Sequence, residues 1–161
     1  MAQRNDRPAG NGRQNSAYRS GCHKLSNLRI SDRVTTTNSA ETFQHFVGAI
    51  NNHDVQSLTA LMTTDHVFVD SVGNRAHSAT FMESGWRSYF AMCPDYWIRT
   101  DYVMAEDDVV LAVGEAGGTI DGVSWWTPAA WKAVIRDGKV MEWRVFADNK
   151  PVYEILARRQ Q

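Results

Sequence analysis

The stretch His66-Val67-Phe68-Val69-Asp70-Ser71-Val72-Gly73-Asn74 carries residue types that can move a proton. Its first five residues alternate as a short strand. His66, Phe68 and Asp70 therefore share one face, with Val67 and Val69 on the other. A carboxylate beside a phenylalanine at the end of an apolar strand sits either at a solvent rim or inside a cavity. In a cavity, desolvation would raise its pKa toward the range useful to a general base. At the rim it would accept backbone N–H bonds in the turn before Gly73. His66 also has two readings. It is either a proton relay or ligand donor near Asp70, or a plain strand-edge histidine. The spacing of His66, Asp70 and His77 matches no standard metal site, and no metal is expected.

The flanking elements must position this stretch. Asn38 with Glu41 reads as a capping box, and Phe43, Phe46, Val47 and Ile50 then form one apolar stripe. That spacing predicts a helix from about Asn38 to Asn51. Asp54 caps a second, short helix with Val55, Leu58, Leu61 and Met62 on one face, ended by Thr63-Thr64-Asp65. After the Gly73-Asn74 turn, Thr80 and Glu83 read as a further capping box. The stripe of Met82, Trp86, Tyr89 and Phe90 follows, and Pro94 ends it. From Tyr96 the pattern is β, over about 96–104, 108–117, 123–135 and 139–148. Glu106-Asp107-Asp108 is a polar turn, Asp137-Gly138 is a two-residue hairpin loop, and a short helix closes the chain from Val152 to Ala157. Pro128 marks a bulge or an edge, and Gly114, Gly117 and Gly118 mark strong bending. The order is an α+β layout: a cone-shaped, strongly curved antiparallel sheet wrapped by three N-terminal helices, with an apolar pocket inside.

Composition narrows the classes. At 161 residues, 43% apolar and 22% charged, the chain has the size and balance of one globular domain. It has no run of the roughly eighteen apolar residues that span a membrane, and no secretory signal. The two cysteines, Cys22 and Cys93, suggest neither a disulfide framework nor a metal knuckle, which points to a reducing, cytoplasmic setting. Residues 1–37 carry seven Lys/Arg against two Asp/Glu, whereas residues 38–161 carry ten against sixteen. The first segment reads as a disordered basic tail and the second as a single domain. A start at Val34 would make residues 1–33 an artefact, a question that the intact mass of the native protein decides. The acidic domain argues against a nucleic-acid partner.

Phe46-Val47-Gly48-Ala49-Ile50-Asn51, Asp54, Leu58, Ala60-Leu61, Asp65 and Asp70-Ser71-Val72-Gly73-Asn74 together resemble the opening of the nuclear transport factor 2-like superfamily, in its SnoaL-like and ketosteroid isomerase branch. The resemblance continues through Pro94-Asp95-Tyr96, Thr127-Pro128 and Gly138-Lys139-Val140, over about residues 40–156. It implies a domain with an apolar small-molecule pocket, no cofactor, and a homodimer formed through the exposed sheet face. In the ketosteroid isomerase pattern the general base stands at Asp70, and the following Val72-Gly73 also fits. The oxyanion-holding tyrosine falls on Phe46 and the protonated aspartate on Ala130, so both polar groups are absent. One such donor is worth about 3–4 kcal/mol of barrier, and efficient ketosteroid isomerase activity is therefore not expected. The carboxylate that related cyclases and epoxide hydrolases carry on the last strand falls on Val145. If Ala130 lines the pocket, Trp126 shares its face, with Trp125 and Trp131 opposite unless Pro128 shifts the register. The expected pocket is thus Phe46, Phe68, Trp86, Tyr89, Trp126, Ala130 and Val145, with Tyr89 or a tryptophan N–H standing in as oxyanion donor. Two functions follow. One is a polyketide cyclase-like enzyme (isomerase, cyclase or dehydratase) acting on an apolar carbonyl compound with Asp70 as base. The other is a non-catalytic module that binds a small ligand or a protein partner.

Overall fold

The apolar stripe of the first helix is buried as its spacing requires. In a computed structural model, which describes residues 38–158, α1 spans Ser39–Asn51, and Phe43, Phe46 and Ile50 are fully buried. The tail expected over residues 1–37 lies outside the described residues. Asn38 caps α1 by accepting from the Ala40 N–H, and Asp54 caps α2 (Val55–Ala60) by accepting from the Ser57 N–H.

After α2 come β1 (Met62–Val69), β2 (Arg75–His77), α3 (Ala79–Met92), β3 (Trp97–Glu106), β4 (Val109–Ile120), β5 (Val123–Arg136), β6 (Lys139–Ala147) and α4 (Lys150–Arg158). Two local expectations change. Met62 opens β1 rather than continuing α2, because it pairs with Val140 while the Val140 N–H donates to the Leu61 carbonyl at 2.7 Å. The cap of α3 is Ser78, whose Oγ accepts from the Phe81 N–H, not Thr80. Glu83 is not available for a capping box, since it pairs with Arg87 one turn on, at 2.8 Å.

The strands form one curved, open sheet in the order β2-β1-β6-β5-β4-β3. It is mixed rather than wholly antiparallel, because β1 runs parallel to β6 while every other pair is antiparallel. Register shifts bend it within the β1–β6 ladder, between Thr100 and Tyr102 on β3, and between Val134 and Ile135 on β5. At the β3 bend the backbones approach too closely for a side chain: a Cβ on Gly114 would lie 2.0 Å from the Arg99 carbonyl oxygen. The β5–β6 hairpin turns on Asp137 and Gly138, both at positive φ (53° and 71°), the combination a two-residue primed turn needs. Pro128 sits where β5 loses its β6 neighbour, since that pairing begins at Ala129.

The concave face packs on α1. Trp131 and Trp143 are almost fully buried there, and Trp143 stacks on Phe43 with ring centroids 5.4 Å apart. Each such ring contributes about 2–3 kcal/mol of apolar burial. Asn51, at the end of α1, exchanges two hydrogen bonds with the backbone of Ile98 and so pins edge strand β3. The opposite face is apolar and exposed at Tyr102, Met104, Leu111, Val113, Trp126 and Phe146. Among the described residues no helix is long and apolar enough to cross a membrane.

Candidate functional site

Strand alternation decides what the concave face presents. On β5 the inward set is Trp125, Thr127, Ala129 and Trp131, and on β6 it includes Trp143, Val145 and Ala147. α3 closes this face with Phe81, Met82, Trp86 and Tyr89, while Tyr96 stands just ahead of β3. Together with Phe68 and Asp70 from the end of β1, these residues line a cavity of about 320 Å³. Its wall includes a run of rings in contact: Trp86, Tyr89, Tyr96 and Trp125, with successive centroids 6.2, 4.9 and 6.1 Å apart, and Phe90 backs Trp86 at 5.2 Å. Asp70, Ser71, Thr127 and Asn149 are polar members of the lining. The Asn149 Nδ2 donates to the Ser71 Oγ at 2.9 Å, tying the loop after β6 to the turn after β1.

Asp70 reaches the cavity wall, but its carboxylate is held by its own turn. Oδ1 accepts from the Val72 N–H at 3.0 Å and the Asn74 N–H at 2.8 Å, and Oδ2 accepts from the Asn74 Nδ2 at 2.8 Å. Burial is the largest single influence and raises its pKa. The four hydrogen bonds from Asn74, Val72 and Gly73 together outweigh it, so the carboxyl titrates below its ordinary value. This corrects the expectation of a raised pKa: the group is ionised throughout the neutral range. A carboxylate offers about four lone-pair positions. The Val72 and Asn74 bonds engage three of them, and Gly73 adds a further interaction with the same carboxylate.

His66 lies in the core and is not among the residues that line the cavity. It is fully buried, its Nδ1 lies 2.8 Å from the Val140 carbonyl, and its Nε2 has no partner among the described residues. Desolvation lowers its pKa and keeps the ring neutral. Three residues of strand lie between it and Asp70, roughly 13 Å of chain from one Cα to the other.

Of the other expected pocket residues, Phe68, Trp86, Tyr89 and Val145 line the cavity. Phe46 does not: it lies behind Trp143, with ring centroids 4.8 Å apart, and packs toward His66. Trp126 and Ala130 face outward, because β5 keeps its register through Pro128 against β4 and turns the odd-numbered residues inward. Trp126 is 60% exposed. The residues that replace them, Trp125, Thr127, Ala129 and Trp131, were visible as the alternative face of the same strand. Ser71 and Tyr96 stand inside motifs that carry the family resemblance, which gives them no pocket role, and Asn149 reaches the wall through the tertiary fold. Among the described residues no group of three or more His, Cys, Asp or Glu is placed to hold a metal ion.

The comparisons agree with this architecture. The model of the SnoaL-like domain family matches residues 43–143. No curated protein sequence matches the chain. Among solved structures, a Mycobacterium tuberculosis LEH-like epoxide hydrolase is similar at 18% identity and a TM-score of 0.67, covering 77% of this chain and 92% of its own. A protein with a ketosteroid isomerase-like fold from Catenulispora acidiphila, solved with trimethylamine, is similar at 17% identity and a TM-score of 0.61, covering 66% and 84%. A cystatin-like-fold protein of unknown function from Xanthomonas campestris is similar at 20% identity and a TM-score of 0.64, covering 71% and 93%. At these identities the likenesses speak to the fold alone, whereas the family match spans well over half of the sequence: the chain belongs to the SnoaL-like domain family.

Proposed function

We propose that the chain is a small-molecule enzyme that binds an apolar carbonyl compound in the aromatic cavity, with Asp70 moving a proton on the carbon next to the carbonyl. Isomerisation, ring closure and dehydration all begin with such a step. The observation that carries this reading is an ionised carboxylate on the wall of a cavity lined mainly by rings and apolar side chains. A carboxylate with a lowered pKa is a weak base. The substrate carbon must therefore be acidic, and the developing enolate must be well stabilised. The exposed apolar patch on the convex sheet face supports a homodimer through that surface.

The test is deuterium uptake from solvent into a panel of enolisable ketones, comparing wild type with Asp70→Asn. Exchange that disappears in the variant supports the assignment. No exchange above buffer for any ketone sinks it. One observation favours a second reading, a binding module without chemistry: three hydrogen bonds already engage Asp70 in shaping its own turn. Such a module would bind its ligand equally well as Asp70→Asn.

A further inference from the structure

Two tyrosines stand on the cavity wall. Tyr89 and Tyr96 meet edge to face, with ring centroids 4.9 Å apart and planes at 84°. Both line the cavity, and among the described residues neither hydroxyl has a hydrogen-bond partner. Neither oxygen is among the fully buried polar atoms left unpaired, unlike the Trp86 Nε1, so each hydroxyl reaches open space. Tyr96 is partly buried, and it lines the cavity.

Elementary chemistry says what two such groups do. Burial pushes both phenols well above their ordinary pKa, and ionising Tyr89 would push Tyr96 higher still. They remain O–H donors at any pH the protein meets. The other groups named on the cavity wall point to the same division of labour. The Asp70 carboxylate only accepts, the Thr127 Oγ1 already donates to the Asp148 carbonyl at 2.9 Å, and Ser71 and Asn149 hydrogen-bond each other at the mouth formed by their two loops. A ligand oxygen that enters an apolar cavity must exchange its water hydrogen bonds for donors on the wall, or lose them.

We propose that the Tyr89 and Tyr96 hydroxyls form a paired donor site that holds the carbonyl oxygen of the cavity ligand. This deepens the function proposed above and rests on its placing a carbonyl compound in the cavity. The pair occupies positions other than Phe46 and Ala130, where the isomerase pattern carries its oxyanion groups. It selects a neutral, flat ligand bearing one exposed carbonyl. A hydrocarbon of the same shape is bound only by its area, and a carboxylate is opposed by Asp70.

The test uses an isosteric pair of probes, 2-acetylnaphthalene and 2-isopropenylnaphthalene, which differ in C=O against C=CH2. Binding is read from quenching of tryptophan fluorescence in wild type and in the Tyr89→Phe/Tyr96→Phe double variant. Both substitutions keep the ring, and circular dichroism verifies the fold. In wild type the ketone should bind on the order of tenfold more tightly than the alkene. The double variant should lose that preference while binding the alkene as before. The infrared C=O stretch of the bound ketone should move to lower frequency in wild type and back in the double variant. Equal affinity of the two probes in wild type overturns the proposal. So does a preference that survives in the double variant, or a ketone that does not bind. The same infrared shift measured in Asp70→Asn separates the two claims. A shift retained there, in a protein whose wild type shows no deuterium exchange, leaves the donor pair standing and removes the base.

Discussion

Asn74 holds both oxygens of Asp70, with its backbone N–H on Oδ1 and its Nδ2 on Oδ2, each at 2.8 Å. Asn74→Ala removes the second bond only. The Asp70 pKa should rise, and the domain should lose about 1–2 kcal/mol of stability near neutral pH. A group with a lowered folded pKa contributes stability that is full above its unfolded value and is lost as pH falls through the folded one. The wild-type advantage should therefore shrink in acid below the ordinary carboxylate range. Carboxyl-carbon NMR titration together with urea melts at two pH values measures both effects. An unchanged Asp70 titration refutes the account of the turn.

His66 makes a second pH dependence at higher pH. Its buried ring is neutral and its pKa lies below the ordinary 6.5, so the unfolded chain binds a proton that the folded chain refuses. Stability from this site is full above about 6.5 and falls with pH through the window between 6.5 and the lowered folded value. Denaturation midpoints should decline from pH 7 to pH 5.5, and His66→Phe should flatten part of that slope. An identical slope in the variant would assign the decline to other groups.

Gly114 is required by the β3–β4 approach and not by an unusual φ. A methyl group there meets the Arg99 carbonyl oxygen at 2.0 Å, against backbone that cannot rotate away. Gly114→Ala should cost at least about 2 kcal/mol. Thermal melts against Gly48→Ala, where a Cβ meets nothing within 4 Å, provide the control.

The convex face offers a test of assembly. Trp126 and Phe146 are 60% and 49% exposed on that face, remote from the cavity lining. The double substitution Trp126→Glu/Phe146→Glu should convert a dimer to a monomer by light scattering while leaving ligand affinity intact. A wild-type protein that is monomeric at micromolar concentration removes the dimer proposal.

Local chemistry alone determined a good part of this protein. The stripe Phe43–Phe46–Ile50, the Asn38 and Asp54 caps, the Asp137-Gly138 turn and the four long strands rest on interactions within a few residues of chain, so the sequence displays them directly. The family resemblance was legible for the same reason, since its motifs are contiguous. What depended on partners far along the chain was not. Met62 leaves its helix because Val140 pairs with it, β1 lies parallel to β6, and His66 is bound to a carbonyl 74 residues away. The site divided along the same line. Asp70 could be found from its strand, but its lowered pKa depends on how the turn closes around it. β5 is apolar on both faces, so alternation could not say whether Trp125 and Ala129 or Trp126 and Ala130 point inward. The register against β4, with the helices covering only one side, decided that question and with it the residues that line the cavity.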